Sequence, residues 1–147
     1  MLERAQWQEL IVYGKHPCVR CSFDAGRPEP ATGIFKLDTG AAADTVSFHA
    51  PAVRQLHILD GRTTSDTVLG GVGGTSPAKV GAIEFFELAA HRFHRPRVNF
   101  SLATGGAFVD EYTTGNIGGK FMEPFRIAFD YGNDRIAFVP RDAADER

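Results

Sequence analysis

Phe35-Lys36-Leu37-Asp38-Thr39-Gly40-Ala41 decides how the rest of this chain reads. An apolar-flanked run stops abruptly on an acid, a hydroxyl and a glycine. Asp is disfavoured inside a strand, so Asp38 belongs at the strand's end, where Gly40 takes backbone angles closed to other residues. Thr39 can hydrogen-bond locally or across an interface. A strand that delivers one carboxylate to a turn is a catalytic layout. Asp-Thr-Gly is also an ordinary surface turn, because Asp and Gly both favour turns, so the surroundings must choose between the two readings.

Upstream, Gly33-Ile34-Phe35 begins the strand that delivers Asp38. The run from Cys18 to Phe23 precedes it across the breaker loop from Asp24 to Pro30, which reads as a hairpin with a loose loop. Residues 3–12, with Trp7, Leu10, Ile11 and Val12, read as a strand, a short pairing arm being the alternative. Downstream, Thr45 to Phe48 reads as a strand, Ala50 to Leu56 as a short helix with Pro51 in its first turn, and Asp60-Gly61 as a tight turn. From Thr63 to Val80 two polar-apolar strands flank Leu69-Gly70-Gly71-Val72-Gly73-Gly74, the pattern of a mobile hairpin whose glycines lower the cost of bending. Val80 to Leu88 and Arg97 to Leu102 both read as strands, with a basic turn, His91 to Arg97, between them. A Gly105-Gly106 linker leads to the segment from Asn116 to Phe125. Arg126 to Tyr131, Gly132-Asn133-Asp134 and Arg135 to Val139 make a β-hairpin by every local rule. The sum is a mostly β domain of short strands with one or two helical turns and no internal repeat.

With 147 residues, 43% of them hydrophobic, the chain suits one globular domain with its own core. Lys and Arg total 16 against 18 for Asp and Glu, so its summed field gives no reason to expect nucleic acid or an anionic membrane. No apolar run approaches the roughly 18 to 20 residues of a membrane span, and residues 1–13 lack the features of a signal peptide. The chain as given is therefore expected to be soluble, with its compartment left open. Cys18 and Cys21 lie three apart on a predicted strand and point to opposite faces, so they are expected to be ordinary reduced thiols. No second Cys-x-x-Cys offers a zinc site. The glycine cluster lacks both the phosphate-loop lysine and the third glycine of a dinucleotide site. His91 and His94 lack the spacing of a helical zinc site and read as solvated surface. Asn99-Phe100-Ser101 fits a glycosylation sequon by chance, inside a predicted strand.

Three signals then fall in one order. Asp38-Thr39-Gly40-Ala41 after an apolar strand resembles the active-site loop of retropepsin-like aspartic proteases. Leu69 to Gly74 follows where those enzymes carry a glycine-rich flap, and Asn116-Ile117-Gly118-Gly119-Lys120-Phe121-Met122 resembles their apolar-apolar-Gly segment and short C-terminal helix. The resemblance is nearest to the bacterial single-lobe members, whose ending is similar to Phe125 to Tyr131. It implies a single-lobe retropepsin-like acid protease fold over residues 17–140, with residues 1–16 as an N-terminal arm or strand and 141–147 as a charged tail that frays.

The same resemblance implies an aspartic endopeptidase that cuts an extended peptide or protein substrate by water attack, with no metal, cofactor or covalent intermediate. That chemistry needs two carboxylates, one ionised and one protonated, because like charges about 3 Å apart cannot both ionise. A single Asp-Thr-Gly loop then implies a homodimer. In it Asp38 is acid and base, Thr39 and Gly40 brace it, and Ala41, Gly70, Gly71, Val72, Gly73, Gly74 and Ile117 contact substrate. A peptide-binding module of the same fold, one lobe of a larger two-lobed protease and a subunit that only dimerises are the alternatives. The sequence departs from the retroviral pattern at Ala42-Ala43, at Gly118 where Gly-Arg is usual and Gly119 and Lys120 follow instead, at the polar Thr75-Ser76-Pro77 and in its final hairpin. These departures bear on substrate and dimer contacts and leave the chemistry of Asp38 untouched.

Overall fold

The computed structural model describes residues 2–71 and 73–142. In chain order the strands are β1 (Trp7–Glu9), β2 (Ile11–Tyr13), β3 (His16–Phe23), β4 (Ala31–Leu37), β5 (Val46–Phe48), β6 (Thr64–Gly71), β7 (Gly74–Ala82), β8 (Phe85–Leu88), β9 (His91–His94), β10 (Arg97–Ser101), β11 (Gly115–Ile117), β12 (Phe125–Asp130) and β13 (Arg135–Pro140). Helix α1 (Ala50–Gln55) follows β5, and α2 (Gly119–Met122) follows β11. The described strands make a long sheet, β6-β7-β10-β5-β11-β4-β3-β8-β9 with β2 paired to β3, and a small sheet, β1-β13-β12.

The feature that positions the site is the place of β11. It runs between β4 and β5, parallel to the first and antiparallel to the second, with Ile117 opposite both Leu37 and Val46. Chain leaving β4 through Asp38 must therefore arch round the end of β11 to reach β5. Three backbone bonds close that arch: Gly118 N–H to the Thr45 carbonyl at 2.7 Å, Gly119 N–H to Ala41 at 2.9 Å and Lys120 N–H to Asp44 at 3.1 Å. Only glycine fits the crossing. A Cβ on Gly118 would sit 2.3 Å from the Asp44 carbonyl oxygen, and one on Gly119 would sit 2.8 Å from the Ala42 Cα.

The core behind the arch is built from phenylalanine. Phe23 meets Phe35 and Phe48 edge-on at 5.6 and 5.0 Å, and Phe48 stacks on Phe100 at 5.6 Å. All four are fully buried, and each such side chain contributes roughly 1.5–3 kcal/mol through burial. Phe121 of α2 stacks on Phe93 at 3.9 Å and ties the helix to β9.

Three local expectations need correction. The run from Val80 to Leu88 is two strands, because the chain breaks at Ile83-Glu84, where Glu84 N–H turns to Asp24 Oδ2 at 2.9 Å and Ile83 N–H to the Pro96 carbonyl at 3.2 Å. The basic segment read as a turn contains β9, paired with β8 so that Leu88 faces His91. The turn itself is Ala89-Ala90, both at positive φ (50° and 62°). Residues 3–12 hold two short strands and not one, since Leu10 leaves the small sheet to donate its N–H to the Asp134 carbonyl at 2.9 Å and start the long one. The tail beyond Asp142 lies outside the described residues. Among those described, no helix is long and apolar enough to cross a membrane.

Candidate active site

Asp38 is the first residue past β4, and its backbone is held by its own N–H donating to the Ile117 carbonyl at 2.9 Å. Gly40 N–H donates back to Asp38 Oδ1 at 3.0 Å, and Ala41 N–H to the Asp38 carbonyl at 3.3 Å. One backbone donor, Gly40 N–H, thus orients the carboxylate, while the other two bonds fix the main chain that carries it. Thr39 and Gly40 are exposed.

A cleft of about 660 Å³ opens over Asp38, with Ala41 and Asp44 from the arch on one side and Gly70 and Gly71 of β6 above. Phe108 closes the far wall, and a Cβ on Gly71 would lie 3.7 Å from its ring. The β6–β7 hairpin turns back through Gly73 and Gly74 at φ 102° and 128°, values that side-chain-bearing residues rarely adopt. Those two glycines border a neighbouring hollow of about 260 Å³ beside Phe108, one step beyond the Asp38 cleft. Val72 lies outside the described residues. Thr39 faces a separate groove of about 630 Å³ with Met122, Phe125 and Phe129.

Ile117 is fully buried in the core, so its side chain is no cleft contact. Alternate residues of a strand point to opposite faces, and on β11 the cleft position falls to Asn116. Behind Asn116 lies a polar network that sequence reasoning missed. His49, completely buried, places Nε2 3.1 Å from Asn116 Oδ1 and Nδ1 3.1 Å from the Thr113 carbonyl oxygen. Thr113 Oγ1 donates to Asp110 Oδ2 at 2.7 Å, and Asp110 is ion-paired with Lys36 at 3.1 Å. Burial pushes the His49 imidazole below the usual histidine range, against its bonds to Thr113 and Asn116, which pull upward. For Asp110, burial works upward, but the hydroxyl of Thr113, the amide of Tyr112 and Lys36 outweigh it and hold the carboxyl below its usual range.

Cys18 and Cys21 are free and buried, and burial raises both thiols, so neither offers a thiolate. Among the described residues no group of three or more His, Cys, Asp or Glu side chains could hold a metal.

A crystal structure of a retropepsin-like aspartic protease from Rickettsia conorii matches this chain with a TM-score of 0.55, covering 91% of this chain and 92% of that one at 15% identity. The fold is the single-lobe retropepsin-like one. No family model matches the sequence, and no curated protein matches it. At this identity the likeness speaks for the architecture, and the chemistry has to be argued from the residues themselves.

Proposed function

We propose that this protein is an aspartic endopeptidase of the retropepsin-like kind, working as a homodimer in which Asp38 and its symmetry mate form the catalytic pair. The observation that carries the reading is a carboxylate held by the Gly40 backbone N–H in a cleft under a glycine hairpin, on a loop whose Thr39 and Gly40 are exposed. One carboxylate takes a proton from water as general base while the other, protonated, donates to the scissile carbonyl. The attacked carbon becomes a tetrahedral gem-diol, and its collapse returns a proton to the leaving amine. Thr39 and Gly40 brace Asp38, while Ala41 and the hairpin from Gly70 to Gly74, Val72 included, hold an extended peptide across the cleft. Asn116 takes the β11 contact expected of Ile117.

Peptide-library digestion by the purified protein, with Asp38→Asn alongside, tests the reading. The Asn variant keeps the shape of a carboxylic acid and removes the general base, so turnover should fall by at least about 10³-fold while the fold persists. Cleavage by the variant at the parent rate would remove Asp38 from the chemistry.

A further inference from the structure

Asn116 sits on the strand next to Asp38, opposite Lys36 of β4 and Ser47 of β5, and lines the cleft. What makes it more than a wall is the ring behind it. The hydrogens around His49 can be placed by elimination. A carbonyl oxygen only accepts, so Nδ1, 3.1 Å from the Thr113 carbonyl, must carry a proton. Thr113 Oγ1 also lies 3.1 Å from Nδ1, but its one hydroxyl proton is given to the Asp110 carboxylate.

That leaves Nε2 and the Asn116 amide. When the ring is an imidazolium, Nε2–H donates to Asn116 Oδ1, the contact seen at 3.1 Å, and the amide turns its NH2 to the cleft. When the ring is neutral, Nε2 is a bare acceptor, and the Asn116 NH2 alone can satisfy it. The amide then rotates by half a turn, which leaves its shape unchanged and presents its oxygen to the cleft.

We propose that Asn116 is a specificity-determining residue of the cleft, and that His49 is the positioning residue whose protonation selects whether Asn116 offers the substrate a donor or an acceptor. The proposal rests on the peptidase reading for the identity of the ligand, and on the network alone for the switch. The titratable groups facing the ring are Lys36, from β4, and Asp110, from the segment before β11, and they are paired with each other. Thr113 and Asn116 present neutral groups, and Phe108 presents a ring at 6.1 Å. From α1 comes a backbone contact, Val53 N–H to the His49 carbonyl at 3.0 Å. Burial opposes the imidazolium and the two acceptors favour it, so the second proton arrives below the ordinary histidine range.

In acid the cleft should therefore prefer a substrate side chain that accepts hydrogen bonds, and nearer neutrality one that donates. Two measurements test this. In ¹⁵N-labelled wild-type protein, the His49 ring nitrogens and the Asn116 side-chain amide are followed from about pH 8 down to the acid limit of the native fold. The neutral ring should be the Nδ1–H tautomer, and the Asn116 amide should shift with the His49 midpoint. A neutral ring in the Nε2–H form, or an Asn116 amide indifferent to that midpoint, overturns the switch.

The second measurement uses cleaved peptides carrying, position by position, either methionine sulfoxide, which only accepts, or lysine, which only donates. At one position the kcat/KM ratio of sulfoxide to lysine peptide should rise about tenfold from about pH 8 to the acid side of the His49 midpoint in wild type, and change less than about twofold in Asn116→Ala. A flat ratio at every position in an active wild-type enzyme overturns the assignment of specificity to Asn116. A protein that cleaves no peptide removes the peptidase reading, and the resonances still decide the switch.

Discussion

Single residues hold this site by being unable to be anything else. Gly118 is the clearest case: the β11 end and the Asp38 arch approach so closely that a methyl group would overlap the Asp44 and Ala41 carbonyl oxygens, at 2.3 and 2.8 Å. Gly118→Ala should cost about 1–3 kcal/mol in urea unfolding and reduce activity, because the arch that aims Asp38 must move. His49 makes a second prediction. Its folded pKa lies below the unfolded value of about 6.5, so on acidification the unfolded chain binds a proton first. Its contribution is intact above that value and is lost as pH falls through the window down to the folded pKa. Asp110, also depressed, adds a separate loss at lower pH, from the ordinary Asp value of about 3.9 down through its folded pKa. Urea midpoints measured against pH should decline in wild type below about pH 6.5, and His49→Gln should flatten that first decline while leaving the second. An unchanged slope in His49→Gln would mean that the buried ring does not titrate on unfolding.

Among the elements, the β8–β9 hairpin carries a local cost that its position repays. Two alanines occupy a two-residue turn with both φ values positive, where Asn-Gly is the sequence of choice. Each L residue there costs about 1–2 kcal/mol. Ala89→Asn with Ala90→Gly should therefore stabilise the protein by about 1–2 kcal/mol in a urea melt, with activity unchanged, since the turn is far from the cleft in register and lining. No gain would mean that the alanine methyls make packing contacts worth as much as the strain. The β6–β7 hairpin shows the opposite case, local chemistry and tertiary role agreeing: Gly73 and Gly74 take the positive φ values that the turn needs, and Gly71 comes close to the Phe108 ring.

At the scale of the molecule, the N-terminal strand folds back within its own chain. β1 pairs with β13, and β13 with β12, so β12 has a strand neighbour on one side only among the described residues. Thr39 and Gly40 are exposed beside a groove that includes Phe129, which is 43% exposed. On the proposed reading, the Asp-Thr-Gly loop of one copy pairs with that of a second. Specific activity should consequently fall on dilution through the dimer dissociation constant, in step with molar mass from light scattering. Constant specific activity in a strictly monomeric protein would sink the homodimer.

Much of the architecture was legible because local rules and tertiary needs coincide. Asp38 ends a strand where Gly40 can turn, Pro51 opens α1, the glycine cluster makes the β6–β7 turn, and Gly132-Asn133-Asp134 separates β12 from β13. On β11, which the sequence reading did not mark as a strand, alternation sets Asn116 and Ile117 on opposite faces. It could not say which face is core: that follows from β11 lying between β4 and β5, which turns Ile117 inward with Leu37 and Val46. The turn at Ala89-Ala90 was illegible for a related reason, since no local preference of alanine favours positive φ and the pairing of β8 with β3 and β9 imposes it. The His49 network was furthest out of reach. Its ring and the Asn116 amide are 67 residues apart, and nothing near His49 in sequence marks it as polar machinery. A strand's pattern and a turn's chemistry are settled by neighbours along the chain, whereas a buried hydrogen bond exists only once the sheet has chosen which strands lie side by side.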